Sequence, residues 1–273
     1  MENTIYKDRY IYFCHTVDSN PTDEKFPFHT HDVCEMIFLK SGNISAVIDG
    51  KEFKMHENSL VIFKPGVVHR IKINGKCTYN RYCILFDPNR IASLPFSMLD
   101  PQLFVVNLSG NHFLTDIFKK ADFYIKNIPS DEFGKIISHL TEEIIYNLTF
   151  MTPEEYEKNH TDLNPVVSKA IAYIDDNYKK QITVDDICTN LYISKCHLHH
   201  LFNEVLSTSP KKYINLKRLT EARNLIRSGS KPHIIFSECG FTDYGTFYRN
   251  YKSFFGHIPS KENEFEIERN IKS

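Results

Sequence analysis

Residues 183–256 read TVDDICTNLYISKCHLHHLFNEVLSTSPKKYINLKRLTEARNLIRSGSKPHIIFSECGFTDYGTFYRNYKSFFG and contain one device twice: a short helix, a turn and a second helix. In the first copy, residues 183–191 and 194–206 flank the turn Tyr192-Ile193. Thr183 and Ser194 stand where a side-chain oxygen can accept from the orphan amide hydrogens of a first helical turn. Ile187, Leu191, Leu198, Leu201, Phe202 and Leu206 recur at helical spacing and predict one small shared core. The outer face of the second helix is then Lys195, Cys196, His197, His199, His200 and Asn203. Such a face offers donors and positive charge to a groove.

The second copy ends its first helix near Cys239-Gly240-Phe241, turns at Thr242-Asp243 and continues over residues 244–256. Gly240 suits a tight turn at positive φ, Asp243 a helix cap and Gly256 a helix stop. The outward residues here are Tyr244, Gly245, Thr246, Arg249, Asn250 and Lys252. Between the copies, Ser209-Pro210 opens and Gly229 closes a predicted helix with apolar Ile214, Leu219, Ala222, Leu225 and Ile226. At about 1.5 Å per residue it spans roughly 27 Å. That is a spacer able to hold two reading helices about one DNA turn, 34 Å, apart.

These residues resemble the DNA-binding domain of the AraC/XylS family of bacterial transcription regulators, over roughly residues 165–262. The resemblance rests on Ser194, Leu198, Leu201-Phe202, Pro210, Tyr213-Ile214, Arg218-Leu219, Ala222 and Leu225, then Gly240-Phe241, Phe247, Tyr251-Lys252, Gly256 and Pro259-Ser260. It implies base-edge contacts from Cys196, His199, His200, Tyr244, Gly245, Thr246 and Arg249. Arg249 is the best candidate for bidentate guanine contact, whereas Lys195, Asn203 and Lys252 suit phosphate. Three positions depart from the family pattern: Cys188 replaces Ala, Pro232 an aliphatic residue, and Phe236 a small one. Phe236 requires extra volume at a packed junction.

The chain has 273 residues, 41% of them hydrophobic, enough for two cores. Its net charge of −1 conceals a division: residues 165–273 hold 16 Lys and Arg against 12 Asp and Glu, residues 1–164 hold 17 against 22. The basic excess lies with the paired helices, as phosphate binding requires. Seven cysteines without a C-x-x-C pair predict reduced thiols in a bacterial cytoplasm rather than a disulfide framework. No apolar run approaches 18 residues, so no membrane association is expected.

Residues 5–108 predict short strands, at 5–13, 33–39, 44–48, 51–55, 59–63, 68–73, 79–86 and 104–108, with turns at Ser41-Gly-Asn43, Asp49-Gly50, Pro65-Gly66 and Asn74-Gly75. This patterning suggests a β-barrel or sandwich. His29-Thr-His31-Asp-Val-Cys-Glu35, Gly42 and Pro65-Gly66-Val-Val-His69 resemble the two motifs of the cupin barrel, the N-terminal domain of many AraC-type regulators. The resemblance implies a small-molecule effector site at His29, His31, Glu35 and His69, with Tyr82 added as a pocket residue. Two other roles stay open for the four: structural hydrogen bonding, or ligation of Fe, Mn, Ni or Zn.

Two helices are predicted at 111–127 and 131–148, the second with Phe133, Ile136, Ile137, Leu140, Ile144 and Leu148 on one stripe. Ile137, Leu140, Ile144 and Leu148 are expected to form a dimer seam, against the alternative of a helix packed on its own barrel.

The expected chain is thus multidomain, α and β. A cupin-like effector and dimerisation domain spans 1–149, a linker 150–164, and an all-α domain with two helix-turn-helix units on a long helix 165–273. The function implied is a sequence-specific regulator, an activator by family habit, responding to a sugar. The expected partners are double-stranded DNA, the effector, a second copy and RNA polymerase. Neither a cofactor nor an enzymatic activity is expected. The alternatives are an apolar effector such as a fatty acid, and a metal-dependent cupin enzyme fused to a DNA-binding tail.

Overall fold

A computed structural model of the chain describes residues 2–31, 33–91, 104–152, 156 and 160–264. Linker positions 153–155 and 157–159, and the final residues 265–273 of the expected C-terminal domain, lie outside that set. The described chain divides into two compact units, the first holding residues up to 48 and 52–160, the second residues 49–51 and those from 161 onward.

The first unit is built on nine strands: β1 (Glu2–Lys7), β2 (Ile11–Asp18), β3 (Cys34–Ser41), β4 (Ile44–Ile48), β5 (Lys51–Lys54), β6 (Ser59–Phe63), β7 (His69–Ile73), β8 (Tyr79–Phe86) and β9 (Val105–Asn107). The larger sheet runs β1-β2-β8-β3-β6-β9, and a smaller one orders β5-β4-β7. The single strand expected over residues 5–13 is a hairpin instead. Asp8 breaks it by accepting from the amides of Tyr10 (2.7 Å) and Ile11 (2.9 Å), an Asx-type turn the apolar run concealed. Between β4 and β5, Asp49 and Gly50 both take positive φ, 46° and 78°, as a two-residue hairpin loop requires.

Both faces of the large sheet are covered, which explains why its strands read as unbroken apolar runs. On one face Ile37, Leu39, Val61, Phe63, Cys83 and Leu85 meet Ile44, Ala46, Ile48 and Ile71 of the smaller sheet. On the other, Phe13, Met36, Phe38, Tyr82, Ile84 and Phe86 meet a helical hairpin. The hairpin follows a short turn of helix, α1 (Pro88–Ile91), and consists of α2 (His112–Asn127), capped by Asn111, and α3 (Ser130–Thr149).

The expected seam residues belong to that inner packing. Ile137, Ile144 and Leu148 have no exposed surface and Leu140 has little, all within the core between hairpin and sheet. The dimer seam assigned to them is therefore corrected to intramolecular core. A periodic apolar stripe specifies that something covers it, and here the chain's own sheet does.

The second unit is helical: α4 (Pro165–Asn177), α5 (Val184–Leu191), α6 (Lys195–Leu206), α7 (Pro210–Arg227), α8 (Pro232–Ile235) and α9 (Tyr244–Phe255), with a closing 3₁₀ segment Pro259–Glu264. Thr183 and Asp186 form a reciprocal capping box on α5, and Ser194, Ser209 and Asp243 cap α6, α7 and α9. Pro232 stands at the first position of α8, a helix of four residues, where its missing amide hydrogen costs nothing. Phe236 finds its volume at the edge of the core, half-buried, with its ring centre 5.8 Å from that of Tyr244.

Candidate effector site and nucleic-acid interface

In the first unit, His29 is stitched to the start of β7 by a reciprocal pair of backbone hydrogen bonds with His69, each 3.0 Å. Glu35 is the second residue of β3, and His31 lies on the approach to it, its carbonyl accepting from the Gly66 amide at 2.9 Å. These elements bring one ligating atom each from His29, His31, Glu35 and His69 within 4.8 Å of one another. The sequence grouping of the four is thus a spatial one.

The hydrogen bonds define the chemistry of the cluster. Each imidazole donates from Nδ1 to a main-chain carbonyl: His29 to Pro27 (3.0 Å), His31 to Val33 (2.9 Å) and His69 to Val67 (2.9 Å). A carbonyl oxygen only accepts, so Nδ1 holds the proton and Nε2 is the free nitrogen of each neutral ring. Yet Nε2 of His31 and of His69 lie 3.0 and 3.1 Å from Glu35 Oε2, which also only accepts. Two acceptors at that separation require a cation between them, supplied either by second ring protons or by a metal ion.

Burial, opposed by Glu35, lowers His69 to about 4 and so disfavours the protonated ring. Glu35 is also deeply buried, but the His31 and His69 contacts outweigh that burial and hold it well below the usual carboxylate range. Glu35 Oε1 accepts from Cys83 Sγ at 3.1 Å, and the His69 ring stacks on Phe63 at 4.0 Å. Three neutral imidazoles and an ionised carboxylate, each oriented by an outer hydrogen bond, fit a divalent transition metal.

Tyr82 does not join them. It points to the opposite face of the large sheet, its hydroxyl donates to Asp122 of α2 at 2.8 Å, and its ring stacks on His15 at 3.9 Å. Residues alternate faces along a strand, and the inward neighbours of Tyr82 are Arg81 and Cys83. Tyr82 lines a separate cleft of about 200 Å³ with Phe38, Phe118, Lys40 and Lys119.

In the second unit, α6 buries Leu198, Leu201, Phe202, Val205 and Leu206 and exposes Lys195, Cys196, His197, His199, His200 and Asn203. On α9, Phe247, Tyr251 and Phe255 are buried; Tyr244, Gly245, Arg249 and Lys252 are exposed and Thr246 is half-buried. Lys195 pairs with Asp185 at 3.0 Å and His200 lies 3.6 Å from Glu204, both at the surface, where such pairs are weak. Arg249 Nη2 donates to Thr246 Oγ1 at 3.1 Å, which steadies the guanidinium on the outer face.

Sequence reasoning passed over two features. Tyr192, in the turn before α6, adopts a left-handed conformation (φ 55°) and is 96% exposed, an aromatic ring beside the outer face of the helix. Its signal was a large aromatic in a turn position. Arg218 of α7 donates to the carbonyls of Tyr178 and Lys180, each at 2.7 Å, and packs against Gly240. A Cβ on Gly240 would lie 2.6 Å from Tyr178 O and 2.7 Å from Arg218 Nε, and φ there is +86°, so only glycine fits.

Fold and site define a two-part protein, a double-sheet domain with a polar interior cluster and a helical domain with two helix-turn-helix units. Comparison with known families is specific: a helix-turn-helix domain family matches residues 187–264, and a cupin domain family matches residues 16–82. Two domains of the chain are thus similar to known families, a cupin domain followed by an AraC-type helix-turn-helix domain.

The raffinose operon transcriptional regulatory protein of Pediococcus pentosaceus is 25% identical over 172 residues, 62% of this chain and 61% of that one. The lactose operon transcription activator of Staphylococcus xylosus is 28% identical over 121 residues, 44% of this chain and 43% of that one. The melibiose operon regulatory protein of Escherichia coli is 20% identical over 257 residues, 88% and 84% of the two chains. The chain thus spans about three fifths of the raffinose regulator and under half of the lactose activator.

Proposed function

We propose that this chain is a sequence-specific transcription regulator, an activator, that binds double-stranded DNA through the outer faces of α6 and α9 and a small-molecule effector inside its double-sheet domain. The observation that carries the reading is the pair of capped helices in an AraC-type domain, each with its apolar half buried and a polar, partly basic half turned to solvent. Relatives named for raffinose, lactose and melibiose operons support a sugar-type effector and a regulator rather than an enzyme. The expected setting is the bacterial cytoplasm, with RNA polymerase and a second copy of the chain as partners. No helix among the described residues is long and apolar enough to cross a membrane.

The test is a gel shift at stated salt on DNA upstream of its own and neighbouring genes, with sugars and fatty acids present or absent. A specific shift altered by one compound is expected; equal binding to competitor DNA would remove the reading. Arg249→Ala should cost about 1–3 kcal/mol and relax preference at one base pair. A loss spread evenly over all sequences would reassign Arg249 to a phosphate.

A second reading concerns the histidine cluster. The acceptor-to-acceptor approach of His31 and His69 to Glu35 favours a divalent transition metal held by His29, His31, Glu35 and His69. A bound metal would supply a Lewis-acidic point for an effector oxygen. After equilibration with Co²⁺ and dialysis, elemental analysis should find one equivalent per chain and the melting temperature should rise. His31→Ala with His69→Ala should lose both effects, and a stoichiometry unmoved by that pair of substitutions would defeat the reading.

A further inference from the structure

The cleft that Tyr82 lines, about 200 Å³ in volume, opens on the face of the large sheet that meets the helical hairpin. The histidine cluster lies on the other face. Aromatic rings line the cleft: Phe38 of β3 and Phe118 of α2 stack with centres 4.3 Å apart and planes 5° from parallel, and the Tyr82 ring stands 5.3 Å from that of Phe118, tilted by 42°. Main chain fixes its walls. The Asn58 amide donates to the Leu39 carbonyl (2.8 Å) and the Leu108 amide to the Asn58 carbonyl (2.9 Å), which holds the approach to α2 beside the end of β3.

Positive charge gathers at the rim. Lys40, at the end of β3, is exposed and has no ion-pair partner among the described residues. Lys119 of α2 is held by Asp116 at 2.6 Å, a surface pair of the kind that contributes little. Gly110 and His112 also line the cleft, so the start of α2 opens on it with the positive end of the helix dipole. Asp122 does not answer these charges, because it already accepts from the Tyr82 hydroxyl and pairs with His15 at 2.8 Å.

We propose that this cleft is a second ligand site, taking a small aromatic acid whose single flat ring lies against Phe38, Phe118 and Tyr82 and whose carboxylate meets Lys40 beside the start of α2. The proposal does not rest on the effector reading above and stands or falls without it. An apolar cavity of about 150 Å³ accepts a benzene ring, so the volume here suits one ring with its carboxylate and is too small for a long acyl chain. Flat rings gain from offset or edge contact with other aromatic rings, which a small aliphatic acid cannot make. A neutral ring would fill the cleft and leave Lys40 unanswered.

The experiment is titration calorimetry of the full chain with benzoate, against benzamide, which keeps the ring without the charge, and acetate, which keeps the charge without the ring. Benzoate should bind with a Kd below about 1 mM and about tenfold or more tightly than either control. Lys40→Met should lose about tenfold of that affinity with its melt unchanged, because Lys40 is exposed. Thr115→Leu, which extends a cleft-lining side chain of α2 into the space, should abolish binding. The heat should be the same with EDTA present, which separates the cleft from a carboxylate held by metal at the histidine cluster. The inference is overturned if benzamide or acetate binds as well as benzoate, or if benzoate gives no heat at millimolar concentration. It is also overturned if a folded Lys40→Met or Thr115→Leu protein binds as the parent does, or if EDTA removes the heat.

Discussion

Replacing Glu262 by Ala is expected to destabilise the helical domain by about 3–5 kcal/mol, enough to leave it largely unfolded and without DNA affinity. The Glu262 carboxylate is fully buried and gathers four groups: Arg223 Nε at 2.5 Å, Arg227 Nε at 2.7 Å, His257 Nε2 at 2.9 Å and the Tyr251 hydroxyl at 2.5 Å. Arg223 and Tyr251 are themselves buried, so removing the carboxylate strands cationic and polar groups in the core rather than freeing them to water. The tie joins α7, α9 and the closing 3₁₀ segment, and thereby holds the second reading helix on its spacer. Circular dichroism melting of the purified variant checks it, and a change under 1 kcal/mol would show that the cluster is not what holds α9.

The same carboxylate sets an acid limit. Burial pushes Glu262 up, but Arg223 and Arg227 outweigh it and hold it below its ordinary value of 4.5. A depressed carboxylate stabilises the fold above its unfolded value and loses that contribution as pH falls through the folded one. The helical domain should therefore keep this contribution at neutral pH and lose it progressively as pH falls below the ordinary carboxylate value of 4.5, and Glu262→Gln should flatten that part of the profile.

The second large effect is expected from Ile144→Asp. Ile144 has no exposed surface and lies in the core between the helical hairpin and the large sheet with Phe133, Ile137, Leu140 and Leu148. Deleting such a side chain costs about 2–5 kcal/mol, and placing a carboxylate there adds an unpaired charge. The effector domain should lose its cooperative melt, with aggregation in place of a clean monomer. Substituting Tyr146 of the same helix and Phe150 at its C-cap by Ser, where both rings are exposed and 5.2 Å apart, should leave the melt nearly unchanged. Light scattering alongside the melts separates the cases: a folded, half-mass Ile144→Asp protein would restore the seam reading.

Much of this chain is local chemistry and could be read from its letters. The caps at Thr183, Ser194, Ser209 and Asp243, Pro210 at a first helical position, and the glycines at 240 and 256 each act within a few residues of themselves. Helical spacing then separated the buried half of α6 and α9 from the exposed half, because that periodicity is intrinsic to the helix. The histidine and glutamate letters were legible only through their resemblance to the cupin motifs.

What they do there was not, since the opposition of His31 and His69 to Glu35 depends on which carbonyls their other nitrogens meet. Tyr82 and Arg81 show the limit most directly: adjacent in sequence, they face opposite sides of a sheet buried on both, and no alternation of polarity betrays which side carries the histidine cluster. The stripe of α3 announced that it must be covered but not by what. The Glu262 tie reaches Arg223 and Arg227, 39 and 35 positions away, which no local pattern encodes. Sequence determined the elements, their ends and the outward faces of the reading helices. Tertiary structure alone decided which polar groups converge and which apolar face is spent inside the chain, because both are set by distances between segments that are remote along it.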